Sequence, residues 1–258
     1  MMENQEKKLN SIEKAVKILL KFQDSTAGKG IREMSGELGF SPATVQRILK
    51  TLKEYDFVRQ DPATRQYYIG NIFYRFLQTL QESNRLTSYA RRYMEELATR
   101  TRETVHVNII EGGHRLCIDT IESPRTLKAG MPVGHRSPLY AGASAKCLLA
   151  FCTDEFVQEY LSSTQLESLT ENTITGVDRL HEELLQIREK GYARSIGERT
   201  PGLGSLSAPV LDHTGSVLAS LSLAIPEIRI SDDEYRHECI QSLMEVAQAF
   251  SHAMGYRR

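Results

Sequence analysis

The sequence predicts an α+β fold in two parts: a small helical unit ending in a hairpin, then a larger domain of helices on an antiparallel sheet. Three observations carry this. Residues 30–69 read as a short helix, a turn, a second helix and a strand–loop–strand hairpin. Residues 71–83 form one helix too apolar to stand alone in water. From residue 86 onward helix, strands, helices, strands and helix follow in that order, a succession that places helices over one or both faces of an antiparallel sheet. The expected divisions are 1–70, a linker helix at 71–85, and 86–258.

Residues 1–10 form a charged tail, and Ser11 is expected to cap a helix whose stripe is Ile12, Ala15, Val16, Leu19 and Leu20. Asp24-Ser25-Thr26-Ala27-Gly28-Lys29-Gly30 breaks that helix. Ile31, Met34 and Leu38 build a short second one, Gly39 supplies a tight turn, and Ser41 caps a third helix with Pro42 at its first position, where a missing N–H costs nothing. Val45, Ile48, Leu49 and Leu52 share the face that must be buried. Opposite them stand Thr44, Gln46, Arg47, Lys50, Thr51 and Lys53, with no acid among them. Phe57-Val58-Arg59-Gln60 and Gln66-Tyr67-Tyr68-Ile69 flank the loop Asp61-Pro62-Ala63-Thr64-Arg65. This is the pattern of a winged helix-turn-helix, whose second helix enters the major groove of double-stranded DNA. A basic, acid-free face can donate to phosphates and base edges. A plain solvated face would read similarly in isolation, and the turn and hairpin around it are what favour DNA. The candidate DNA contacts are Ser41, Thr44, Gln46, Arg47, Lys50, Thr51, Lys53 and, on the wing, Arg65. The rival is a ligand-sensing module whose winged unit contacts protein, a role that would not need Arg47, Lys50 and Lys53.

The helix at 71–83 carries Ile72, Phe73, Phe76, Leu77 and Leu80, an apolar side suited to dimerisation. Beyond it, Tyr89, Ala90, Tyr93, Met94, Leu97 and Ala98 mark a helix to about residue 101, and strands are expected at 104–110, 115–121 and, more weakly, 126–133. Helices follow at 139–151, 154–161 and 178–190, the last ended by Gly191, then strands at 192–197, 206–211 and 216–224. Ser231 and Glu234 read as the capping box of a closing helix that runs to about Met254.

Composition narrows the function. The 258 residues are 40% hydrophobic, with a net charge of −1. Residues 1–70 carry 12 Lys and Arg against 9 Asp and Glu, and the remainder 20 against 24, so only a local surface is basic and indiscriminate coating of nucleic acid is disfavoured. No apolar run approaches a membrane span and the first residues do not resemble a signal peptide, so the expectation is a cytoplasmic protein with no membrane partner. Cys117, Cys147, Cys152 and Cys239 form no C-x-x-C pair and read as free buried thiols. Gly142-Ala143-Ser144-Ala145-Lys146 matches neither G-x-S-x-G nor S-x-x-K, and His181-Glu182 and His237-Glu238 lack a second histidine. Gly202-Leu203-Gly204-Ser205 precedes a strand and offers no helix N-terminus to a phosphate. No enzyme, cofactor or metal site is therefore expected. Ser205, Ser207, Ser220 and Ser222 punctuate strands that should be apolar, leaving room and hydroxyls for a ligand, or else facing solvent. The helix near 143–151 opens with small residues, so its first N–H groups could receive a carboxylate.

Three stretches together resemble the IclR family of bacterial transcriptional regulators. They are residues 41–52, the run Met131-Pro132-Val133-Gly134-His135-Arg136-Ser137-Pro138-Leu139-Tyr140-Ala141-Gly142-Ala143-Ser144-Ala145-Lys146, and Gly191-Tyr192-Ala193-Arg194-Ser195-Ile196-Gly197-Glu198 with Ala208-Pro209-Val210. The resemblance implies a winged helix-turn-helix, a linker helix and a GAF-like α/β effector-binding domain. It further implies a homodimer or dimer of dimers on an operator, in the manner of an inverted repeat, and a small effector, often a carboxylate or aromatic acid. The family's pocket falls on Ala143, Ser144, Ser195, Leu203, Ser205, Ser222 and Ala224. Some members carry an acid at the place of Ser195 and a serine at that of Ala224. Many have histidine where Gln46 stands, and Gln pairs well with adenine.

Overall fold

The computed structural model describes residues 9–23, 26–83 and 85–257. The tail expected at 1–8, Asp24 and Ser25 of the expected break, and the side chain of Leu80 lie outside the described residues. The chain divides into two compact units, Met1–Ser83 and Asn84–Arg258.

In the first unit α1 (Ser11–Leu20), α2 (Ile31–Leu38) and α3 (Pro42–Glu54) close around Ile18, Met34, Val45 and Leu49. The cap of α1 differs from the expected one. Asn10 accepts the Ile12 and Glu13 amides at 2.9 Å each, and Glu13 takes the Asn10 N–H at 2.6 Å, so Ser11 is the first helical residue. Asn is as good a cap acceptor as Ser, and only Asn10 has a Glu three residues on. Gly39 ends α2 at φ 66°, a backbone that a β-carbon would strain. Ser41 caps α3 as expected, its Oγ accepting the Thr44 amide at 3.2 Å. β1 (Val58–Gln60) pairs antiparallel with β2 (Tyr67–Ile69) to form the wing. α4 (Ile72–Ser83) follows, with the Phe73 and Phe76 rings 5.7 and 6.1 Å from Phe57, while Tyr74 and Leu77 are exposed.

The second unit opens with α5 (Arg85–Thr101), β3 (Thr104–Glu111), β4 (His114–Ile121) and β5 (Arg136–Pro138). α6 (Ala143–Ala150), α7 (Asp154–Ser163) and α8 (Val177–Lys190) come next. β6 (Ala193–Ile196), β7 (Leu203–Leu211), β8 (Val217–Pro226), α9 (Glu227–Ile230) and α10 (Asp233–Ala253) complete it. The sheet runs β5-β4-β3-β8-β7-β6 with all neighbours antiparallel. Strand alternation sorts its two faces. Val105, Val107, Leu206, Ala208, Leu221 and Leu223 pack with Met94, Leu97, Leu243 and Phe250 of α5 and α10. His106, Asn108, Ser207, Ser220 and Ser222 take the alternate positions, buried although polar. Ser220 donates to the Ser144 carbonyl at 3.2 Å, which fixes that second face as the one under α6.

Four further expectations are corrected. Residues 126–133 form no strand: Gly130 and Pro132 deny the segment a continuous ladder, and backbone bonds to β4 begin only at Gly134, whose N–H donates to the Cys117 carbonyl at 2.8 Å. α6 begins at Ala143 rather than 139, because Gly142 turns the chain at φ 89°. The closing helix is capped by Asp232, which accepts the Tyr235 amide at 2.9 Å, since Ser231 is taken up in ending α9. Also, β7 begins at Leu203, so most of the glycine-rich turn is strand. All four cysteines are free, with Cys152 only half-buried. No helix among the described residues is long and apolar enough to cross a membrane.

Candidate functional sites

On α3 the periodicity that buries Val45, Ile48 and Leu49 leaves Gln46, Arg47, Lys50, Thr51 and Lys53 exposed, with Thr44 half-buried beside its cap Ser41. Arg47 and Lys50 form no ion pair among the described residues, so their charges stay available to an outside anion. Lys53 reaches Gln60 on the wing at 3.4 Å. In the wing loop Asp61 Oδ1 accepts the Ala63 and Thr64 amides at 2.8 and 2.9 Å, and its carbonyl accepts the Arg65 N–H at 2.9 Å. Those bonds hold Arg65 exposed and at φ 60°. The structure thus brings seven of the eight sequence-chosen residues onto one helix and its cap and puts the eighth at the end of the hairpin.

In the second unit a cavity of about 90 Å³ opens between α6 and the polar face of the sheet, room for several waters or one small metabolite. Ser144, Ser195, Leu203, Ser205, Ser222 and Ala224 line it. Ala143 does not. Its methyl joins the core under α6, and its amide instead hydrogen-bonds Ser195 Oγ at 3.0 Å and Ser205 Oγ at 3.3 Å. The start of α6 is therefore partly satisfied from within. The Gly142 N–H takes Glu198 Oε2 at 2.8 Å, a carboxylate supplied by the protein itself. Ser222 is held by Ser207 at 2.8 Å and by the Asn108 amide at 3.2 Å. None of Ser207, Ser220 and Ser222 faces solvent.

Charge is distributed unevenly around this cavity. Lys146, almost fully buried, meets Glu198 at 2.6 Å and Glu183 at 2.7 Å, so the carboxylate at the cavity wall is neutralised. Arg199 lines the cavity, packs its stem against Gly142, and makes no ion pair or hydrogen bond among the described residues. Burial pulls its pKa below the usual guanidinium value. His106 also lines the cavity. Burial, reinforced by Arg115 and Arg199, holds its pKa down to about 4, and its Nε2 has no partner among the described residues. The sequence reading missed Arg199, Glu198 and His106. The signal for His106 was present: Thr104, His106 and Asn108 alternate with Val105 and Val107, as the serines alternate on β8.

A helix-turn-helix unit with a basic recognition face, joined to an α/β domain that encloses a polar cavity, defines a ligand-responsive DNA-binding regulator. Comparison gives the family. The model of the IclR helix-turn-helix domain matches residues 11–62, and that of the bacterial transcriptional regulator IclR C-terminal domain matches residues 78–252. The chain is 34% identical over 228 residues to the HTH-type transcriptional regulator KdgR of Dickeya chrysanthemi, covering 88% of this chain and 74% of that protein. Its fold matches the IclR-type regulator of Alicyclobacillus acidocaldarius with a TM-score of 0.83 at 26% identity, covering 96% and 100% of the two chains. An IclR homologue from Microbacterium hydrocarbonoxydans, solved with 4-hydroxybenzoate, shares the fold with a TM-score of 0.85 at 19% identity, over 95% and 99%. The protein belongs to the IclR family of bacterial transcriptional regulators. It is a DNA-binding regulator with a C-terminal effector-binding domain, not an enzyme.

Proposed function

We propose that this regulator binds an operator of inverted-repeat form through Arg47, Lys50 and their neighbours on α3, with Arg65 of the wing on the backbone, and that a small carboxylate in the α6 cavity sets its operator affinity. In this reading residues 1–70 bind DNA, 71–85 link, and 86–258 sense, in a cytoplasmic homodimer or dimer of dimers whose symmetry the operator mirrors. The carrying observation is Arg199, a partly buried guanidinium on the cavity wall with no carboxylate partner among the described residues. A buried charge left alone is costly, and an anionic ligand supplies the missing partner. Ser144, Ser195, Ser205 and Ser222 provide hydroxyls, and Leu203 and Ala224 provide apolar wall. The 4-hydroxybenzoate held by the Microbacterium homologue is an acid of this class.

Fluorescence anisotropy tests the reading against DNA from upstream of the protein's own gene, with an unrelated duplex as control and across a salt series. Tight, salt-sensitive binding to the first duplex alone is expected. Arg47→Ala and Lys50→Ala should each weaken it by roughly 1–3 kcal/mol or flatten the salt slope by about one unit, without loss of folding. Equal, weak binding to both duplexes, followed by failure to select a site from random DNA, would move the winged unit to a protein partner.

A further inference from the structure

The sensing domain holds a second guanidinium that no acid accompanies. Arg115, on β4, is completely buried, and its four partners are neutral: Ser137 Oγ at 2.8 Å, Asn108 Oδ1 at 3.0 Å, Met131 Sδ at 2.7 Å and His135 Nδ1 at 3.1 Å. Burial lowers its pKa to about 10, which leaves it charged at neutral pH. It stands immediately behind the cavity wall, because Met131 and Ser222 line the cavity, and Asn108 joins Ser222 to Arg115 through its amide. Thioether sulfur is the weakest acceptor of the four and the one facing the cavity. His106, 1% exposed, adds an unpartnered Nε2 on the same wall.

We propose that the cavity is built for a small dicarboxylate, one acid group on Arg199 and the other on Arg115, reached when the Met131 side chain moves aside. This rests on the α6 cavity being the effector site and narrows what it takes. The two cations approach from opposite ends of the sheet: Arg115 is on β4, second from one edge, and Arg199 follows β6, the strand at the other edge. A phosphate monoester concentrates its charge on one centre and satisfies only one of them, whereas a dicarboxylate spreads it. Glu198 cannot serve as the counter-ion for either, since Lys146 and the Gly142 amide already hold it.

Isothermal titration calorimetry on the full chain tests this with succinate, glutarate, adipate and isophthalate, each beside its monoacid counterpart butyrate, valerate, hexanoate or benzoate, and with methyl phosphate as the single-centre dianion. At least one diacid should bind about tenfold or more tightly than its monoacid. Arg115→Met should bring that ratio close to one. Met131→Ala, at a half-buried position that is safer to change, should tighten the diacid and leave the monoacid unaltered. Monoacids binding as tightly as diacids, methyl phosphate exceeding every diacid, or a ratio indifferent to Arg115→Met and Met131→Ala would overturn the dicarboxylate while leaving the cavity as an acid site. Absence of binding by every acid would count against the cavity reading and remove this inference with it.

Discussion

Both units carry positive charge with no carboxylate partner among the described residues, but in opposite settings. Arg47, Lys50 and Arg65 project into water, where an unpaired cation costs nothing and its counter-ions are released when phosphate replaces them. Arg115 is withdrawn from water and Arg199 partly so, and burial disfavours the charged form of each. Under the proposed function the two surfaces would recognise anions in different ways. The first holds its affinity in reserve at no cost to the fold and should lose it in salt. The second should gain stability on binding, which would link ligand and fold thermodynamically and shield the interaction from salt.

The largest test of this contrast is Lys146, a buried cation that does have partners. Lys146→Met leaves the Glu198 carboxylate buried and held only by the Gly142 amide, and should destabilise the second unit by roughly 3–5 kcal/mol. Chemical denaturation followed by a probe in that unit measures it. A loss no larger than that of a surface substitution would mean that water reaches this cluster, and the separation between exposed and buried charge would fail with it.

A smaller effect is expected from pH. The His106 imidazole, ordinarily near 6.5, is held down to about 4 by burial beside Arg115 and Arg199, so the unfolded chain binds the extra proton between those values. The stability it contributes is complete above about pH 6.5 and declines as pH falls towards 4, by about 3 kcal/mol at most. Urea midpoints from pH 7.5 to 4.5 should fall more steeply for the native sequence than for His106→Leu. Parallel curves would show that the imidazole is hydrated in the folded state. A tightly bound diacid should flatten the native curve as well, because its charge offsets the two arginines.

Where the sequence was legible, local period carried the information. The spacing of Val45, Ile48 and Leu49 fixed the exposed face of α3, and alternation put Ser222 and Ala224, which line the cavity, on one face of the sheet. Charged residues were harder to place. Arg115 follows a tight turn at Gly112 and Gly113, and nothing in its strand's pattern announces that Ser137 of β5, Met131 and His135 close over it. Arg199 sits in a loop whose course no periodicity describes. Caps were misplaced by one residue at α1 and α10, where two good acceptors stand side by side and a local partner decides: Glu13 completes a capping box with Asn10, and Ser231 is occupied in ending α9.

The smallest effect separates the two roles of Ser41, cap of α3 and candidate DNA contact. Its Oγ accepts the Thr44 amide at 3.2 Å and meets Thr44 Oγ1 at 2.9 Å, so Ser41→Ala should cost the first unit about 1 kcal/mol. Ser41→Asp preserves the cap, since a carboxylate serves it as well and suits the helix dipole. It also sets a negative charge at the N-terminal end of the helix expected to meet phosphate. Unfolding of the Asp variant should therefore match the native protein while its operator affinity falls, and the Ala variant should show the reverse balance. Native operator affinity in the Asp variant would restrict Ser41 to the cap and shift the contact surface towards Lys50 and the wing.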